Sequence, residues 1–209
     1  MRIDSLKTSP DRAGRYAVHF SDGTVMRLYR QTVEDFGLYS GKELSDEEMD
    51  ALQESAAQMS AKMRAVRIVS ASSVTKRDLE QRLVHKGEDP EQAKEAVQWM
   101  SDLNLLDDSR VAEQVVQRCI SRGYGLARAK QALYEKKVPK QYWDEALADY
   151  PDQLDRITDF LHARLGNGYD ERELKRAIDA LMRRGHSYAA IRKALNRLKL
   201  DQEDFPEEF

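Results

Sequence analysis

The chain has one cysteine in 209 residues, so no disulfide framework can hold it. That scarcity suits a reducing, cytoplasmic setting. Only five prolines and ten glycines interrupt it. So few breakers suit long helices and argue against sandwiches and barrels. Aromatics are scarce at 8%. No apolar run approaches the roughly 18 residues of a membrane span, and the opening Met-Arg-Ile-Asp-Ser-Leu-Lys has no apolar stretch of the kind a signal peptide carries. The net charge is only -3, so the chain as a whole is no generic nucleic-acid binder. The four histidines (His19, His85, His162, His186) lie apart, none four residues from another or from the cysteine, and predict neither a zinc site nor any cofactor.

What is present is repetition. Ser73-Val74-Thr75 leads into Leu79, Leu83 and Lys86-Gly87. Gly123-Tyr124-Gly125 leads into Ala129, Leu133 and Lys136-Lys137-Val138. Gly185-His186-Ser187 leads into Ile191, Leu195 and Leu198-Lys199-Leu200. The copies start 50 and then 62 residues apart, the spacing of a helical repeat array. Aliphatics align across them: Val66 with Val116, Val116 with Ile178, Leu83 with Leu133 and Leu195. Arg122 aligns with Arg184, and Lys130 with Arg192. The fold class predicted is all-α: an elongated array of three tandem three-helix repeats behind a small N-terminal β-hairpin or three-stranded extension. The boundaries read as a β-rich extension at 1–43, repeats at 44–105, 106–150 and 151–200, and an acidic tail at 201–209. The longer second interval predicts an added or lengthened helix around 151–165.

Tyr16, Val18 and Phe20 alternate on one strand, and Thr24 to Tyr29 forms a second. Asp22-Gly23 between them predicts a two-residue turn. Ile3 to Leu6 offers a third strand. After Leu44 the period becomes helical, with legible starts. Ser45 with Glu48, Asp89 with Gln92, and Asp170 with Glu173 predict capping boxes; Thr75, Asp107 and Ser187 predict simple caps. Gly87, Gly123 and Gly185 mark stops. The helices predicted are 45–69, 75–86, 90–102, 107–122, 126–137, 140–149, 151–165, 170–184 and 188–199.

Charge is strongly segregated. Residues 62–86 carry seven bases against two acids, 118–140 seven against one, and 172–199 nine against two. Acids gather elsewhere: six between Glu43 and Glu54 with no base, and six between Asp144 and Asp159 against Arg156 alone. Each basic block covers the junction of the same two helices of its repeat. Regular stacking would align these junctions into a stripe that attracts acidic protein or phosphate. Ordinary solvated helix faces are the competing explanation. The candidate partner-binding residues are Arg118, Arg122, Arg128, Lys130, Lys137, Arg184, Arg192, Lys193 and Lys199. The first copy has Ser72 and Glu80 where the others carry matched cations, so the strongest contacts are expected in copies two and three.

Nothing predicts catalysis. Cys119 takes the place of Leu181 and reads as a small core residue. Asp107-Asp108 reads as a helix start. Gly123-Tyr124-Gly125 lacks a third glycine and follows no strand, so it is a helix stop and restart rather than a dinucleotide loop. Trp99 and Trp143 fall on packing faces of third helices.

Taken together, Leu79-x-x-x-Leu83-x-x-Lys86-Gly87, Leu106-Asp107-Asp108-x-x-Val111-Ala112, Arg118-x-x-x-Arg122-Gly123-x-Gly125, and the helix from Gly185-x-Ser187-Tyr188 to Ile191-x-x-x-Leu195 resemble the RecX family of RecA regulators. The resemblance spans about residues 60–200. Three positions depart from the family pattern: Val111 where Phe is usual, Lys137 where Gly ends the helix, and His186 where an aromatic is common. The resemblance implies a cytoplasmic, non-enzymatic, monomeric protein. Such a protein binds the RecA filament on DNA and restrains its ATP hydrolysis, strand exchange and coprotease activity. Direct contact with single- or double-stranded DNA is a further possibility it leaves open. The alternative reading is a direct DNA-binding, helix-turn-helix-like regulator built on residues 170–199. Against it, the helix after Ser187 opens Tyr188-Ala189-Ala190, without the side chains that read bases.

Overall fold

The computed structural model describes residues 1–8, 14–166 and 168–198. The acidic tail, and with it Lys199, lies outside the described residues. The chain divides into two compact units, Met1–Leu106 and Asp107–Phe209. It is a helical array behind a three-stranded N-terminal sheet.

In the first unit, β1 (Ile3–Thr8), β2 (Arg15–Phe20) and β3 (Val25–Tyr29) pair antiparallel in the order β1-β2-β3. Leu6 faces Val18, and Val18 faces Met26. Four residues, Ser21 to Thr24, separate β2 from β3, and pairing of Phe20 with Thr24 leaves a turn of three, not the two expected. Phe20 N–H donates to the Thr24 carbonyl (2.9 Å), Gly23 N–H to the Phe20 carbonyl (3.0 Å), and Gly23 takes a φ of 86°. That geometry is a turn followed by a left-handed glycine. Asp22 favours it by accepting from both the amide and the hydroxyl of Thr24 at 2.9 and 2.7 Å.

Alternation drives Val18, Phe20 and Leu28 into one core with Ile3, Val33, Leu38, Leu44, Met49 and Leu52. Each such side chain contributes about 1.5–3 kcal/mol by leaving water. The sheet is therefore packed on a helix. Between them runs α1 (Arg30–Asp35), a short helix the sequence did not predict. Its N-cap, Tyr29, makes no side-chain cap bond. It is held by burial of Thr32 and Val33 and by Arg30–Glu34 and Gln31–Asp35 contacts, both 2.7 Å.

Helix α2 (Asp46–Ala71) begins at the Ser45–Glu48 capping box as predicted. Its first turns bury Met49 and Leu52 under the sheet. Its later turns present Ala61 and Ala65 to α3 (Lys76–His85) and α4 (Pro90–Asp102). Thr75 and Asp89 cap those two helices. The capping box expected at Asp89 is only half built: Asp89 accepts from Glu91 and Gln92 amides, but Gln92 Oε1 is buried without a partner. Trp99 packs on this core with Lys62 5.8 Å from its ring.

In the second unit, α5 (Asp108–Ser121) and α6 (Leu126–Glu135) form a pair capped at Asp107 and Gly125. The helix expected at 140–149 is instead a 3-10 turn, Lys140–Tyr142, followed by the five-residue α7 (Trp143–Leu147). Val111, Val116, Leu133 and Val138 form the core of this trio, against which Trp143 and Leu147 pack. Helix α8 (Leu154–Leu165) packs with α9 (Glu171–Arg183) and α10 (Tyr188–Arg197) around Ile157, Leu161, Ile178, Leu181 and Leu195. The Asp170–Glu173 box and the Ser187 cap form as predicted. The third helix of this trio precedes its pair, whereas α4 and α7 follow theirs. The longer repeat interval thus holds two short helices, α7 and α8, instead of one.

Candidate partner-binding surface

Copies two and three end their first helix in the same way. Helix α5 runs through Arg118 to Arg122, which caps it, and Gly123 (φ 65°) turns the chain before Gly125 opens α6. Helix α9 runs to Arg184, Gly185 (φ 85°) turns the chain, and Ser187 opens α10. Only glycine enters this left-handed region without steric cost.

The two turns dock backbone to backbone. Gly125 N–H donates to the Arg184 carbonyl at 2.9 Å, and Ala127 N–H to the Gly185 carbonyl at 3.3 Å. His186 Nε2 lies 3.1 Å from the Gly123 carbonyl. Two further residues, which the sequence did not single out as functional, brace the same junction. The Tyr150 hydroxyl donates to the Tyr124 carbonyl at 2.6 Å, and Arg156 donates to the Ser121 carbonyl at 2.9 Å. A signal for Arg156 was available: it is the one base in the acidic run 144–159.

Burial sets the chemistry here. It pushes the His186 imidazole below its ordinary pKa, against the pull of the Gly123 carbonyl and with help from Arg184. It pushes the Tyr150 phenol up to about 12 and raises the Cys119 thiol. Cys119 is buried, as its alignment with Leu181 predicted. Trp143 donates to the Val138 carbonyl at 3.0 Å and serves packing.

The candidate cations divide by engagement. Arg118, Arg122 and Lys130 are exposed, and no acidic side chain pairs with them among the described residues. Arg184 is exposed and stacks on Phe160, 4.9 Å from its centroid. Arg128 is half-buried and pairs with Glu135 at 3.0 Å, so part of its charge is spent inside the chain. Lys193 lies 3.8 Å from Asp152. Arg192 and Lys137 are also engaged within the chain. Lys137 adopts a φ of 57°, the left-handed position where the family pattern has glycine. The docked turns thus bring Arg122 and Arg184, each the cap of its helix, to one junction. Beside it runs a groove of about 670 Å³ lined by Leu126, Lys130, Ile157 and Met182 among others. Leu126 and Met182 are exposed at its edge.

Among the described residues no group of three or more His, Cys, Asp or Glu could hold a metal. No described helix is long and apolar enough to cross a membrane.

A family model described as the second three-helix domain of RecX matches residues 107–147. A regulatory protein RecX of Halorhodospira halophila is 32% identical over 145 residues, covering 68% of this chain and 90% of that one. A regulatory protein RecX of Clostridioides difficile is 24% identical over 207 residues, covering 94% of both. A crystal structure of a regulatory protein RecX superposes with a TM-score of 0.65 at 20% identity, covering 93% of this chain and 98% of that one. This likeness shows the shared fold. The chain belongs to the RecX family of regulatory proteins.

Proposed function

We propose that this protein binds the RecA filament on DNA and restrains its ATP hydrolysis, strand exchange and coprotease activity. It is a regulator by family and not an enzyme. It acts in the cytoplasm as a monomer, through three tandem three-helix repeats. The observation that carries the reading is the docked pair of turns. Two backbone bonds join them, and the Gly123 and Tyr124 carbonyls are taken up by His186 and Tyr150. What the turns offer outward is therefore side-chain charge: Arg118, Arg122 and Lys130 without acidic partners among the described residues, and Arg184 held over Phe160. Cations without partners cost little to bring to an acidic or phosphate surface, because no internal ion pair has to break first.

The helix-turn-helix reading fares worse. The turn before α10 is occupied by α6, with Gly185 against the backbone of Arg128, and the first turn of α10 offers Ala189 and Ala190 rather than base-reading side chains.

The test is RecA ATPase on single-stranded DNA with substoichiometric amounts of this protein. Turnover should fall, and fall less with a variant carrying Arg122→Glu, Lys130→Glu, Arg184→Glu and Arg192→Glu at unchanged helical content. Unaltered turnover and filament length at excess wild-type protein would remove RecA as the partner. Full inhibition by the variant would remove these cations from the mechanism.

A further inference from the structure

The geometry points to a second contact site, in the first unit: a groove between α2 and α3 that binds the phosphodiester backbone of a nucleic acid. It refines the reading above, of which nucleic-acid contact is one part, but it stands without RecA.

Four cations converge there. Arg64 and Arg67 come from α2, Arg82 and Lys86 from the end of α3, and together with Ile68, Ala71 and Ser72 they line a groove of about 430 Å³. Three of the four are held in place. Arg64 Nε lies 2.7 Å from Glu88 and its Nη1 donates to the Lys86 carbonyl; Arg82 lies 2.9 Å from Asp78. Both carboxylates are nearly buried, at 8% exposure, so they act as fixed anchors rather than as a competing acidic surface. Ser60 donates to Glu88 at 3.1 Å and steadies it. Arg67 donates to the Tyr29 hydroxyl at 2.9 Å. A guanidinium has five N–H donors, so each anchored arginine keeps donors for an incoming anion and is already oriented for it. Arg67 and Lys86 have no acidic partner among the described residues, and they leave the groove with net positive charge.

Cations at the end of α3 also offset the negative end of that helix, which accounts for Arg82 and Lys86. It does not account for their convergence with Arg64 and Arg67. Nor is the cluster a by-product of the repeat. The aligned positions in copy two are Gln114, Gln117, Ala132 and Lys136, and in copy three Arg176, Asp179, Ala194 and Leu198. Each of the other copies keeps a single cation at these four positions, Lys136 and Arg176, so the four-cation cluster belongs to copy one alone. A phosphodiester fits better than an acidic protein. Apart from its cations the groove is lined by Ile68, Ala71 and Ser72 alone, without the aromatic anchor site typical of a protein partner, whereas forked guanidiniums match phosphate oxygens.

The experiment is binding of the full chain to a fluorescein-labelled single-stranded oligonucleotide, without RecA, across a salt series. Neutralising Arg67→Gln and Lys86→Gln together should weaken binding several-fold. It should also flatten the log–log salt dependence by about 1.4, two contacts' worth on a single strand. Arg27→Gln with Lys94→Gln, the same charge change elsewhere in the unit, should leave both nearly unchanged. Lys86→Gln alone removes no internal contact of that side chain and guards against misfolding; it should flatten the slope by about 0.7. An unchanged slope, an equal loss in the control pair, or no oligonucleotide binding at 50 mM salt overturns the site. Binding of polyglutamate in place of the oligonucleotide overturns it in favour of an acidic protein. None of these outcomes bears on the RecA ATPase result.

Discussion

A β-carbon on Gly125 would stand 2.0 Å from the carbonyl oxygen of Gly185. Gly125 has an ordinary φ of -77°, so glycine is required there by proximity and not by backbone conformation. The relation is nearly reciprocal, since a β-carbon on Gly185 would fall 2.3 Å from the Arg128 nitrogen. The obstructing atoms are backbone and cannot swing aside. Gly125→Ala should therefore destabilise the second unit by about 3 kcal/mol, the upper range for overpacking. Urea denaturation in a Trp99→Phe background, where Trp143 alone reports, measures it.

His186 gives that junction a pH dependence. Its folded pKa lies below the ordinary 6.5 because burial disfavours the imidazolium. The unfolded chain takes up a proton that the folded chain resists. Stability from this site is therefore fully present above pH 6.5 and is lost as pH falls toward the folded pKa. The melting temperature of the wild type should drop more steeply between pH 7 and pH 5 than that of His186→Phe, which restores the family's aromatic and cannot titrate. Parallel melting curves for the two would refute it.

Lys137 carries the cost of a left-handed residue at φ 57°. For a non-glycine side chain that cost is roughly 1–2 kcal/mol, offset in part by the greater freedom glycine has when unfolded. Lys137→Gly should stabilise the second unit by about 0.5–1 kcal/mol in the same denaturation assay.

Helix starts were the most legible feature, because a cap is a local transaction between a side chain and an amide two or three residues on. Ser45, Thr75, Asp107, Asp170 and Ser187 all cap where their sequence context places them. Gln92 failed as a box partner because its Oε1 is turned into the protein, away from the Asp89 amide, which no local pattern reveals. The region 140–149 reads as a helix by composition, yet Pro139 and the packing of Trp143 confine it to a 3-10 turn and five helical residues. The candidate surface was legible as charge and not as geometry. Matching Arg122 to Arg184 singled out two turns that touch each other. That they touch could not be read from spacing, since a backbone contact between residues sixty positions apart leaves no periodic trace. The one clue was a glycine, Gly125, in a cap position where Ser or Asp would serve. The first unit's basic groove was legible only as the charge of block 62–86; none of its cations entered the candidate set, because Ser72 and Glu80 stand where copies two and three carry matched cations.

The position of α8 ahead of its pair has a kinetic meaning. Within the second unit each trio is continuous in sequence, α5 to α7 and then α8 to α10, so each gathers through short-range contacts that cost little chain entropy to close. The link between Gly125 and Arg184 spans the whole interval and gains nothing until both trios exist. The turns should therefore meet last on folding and part first on opening. The amides of Gly125 and Ala127, which donate across that link, should exchange with deuterium faster than those of the α5 interior such as Val116. Two turns that close only as a final step can part without unfolding either trio, and a partner that prefers one arrangement would shift the balance between them.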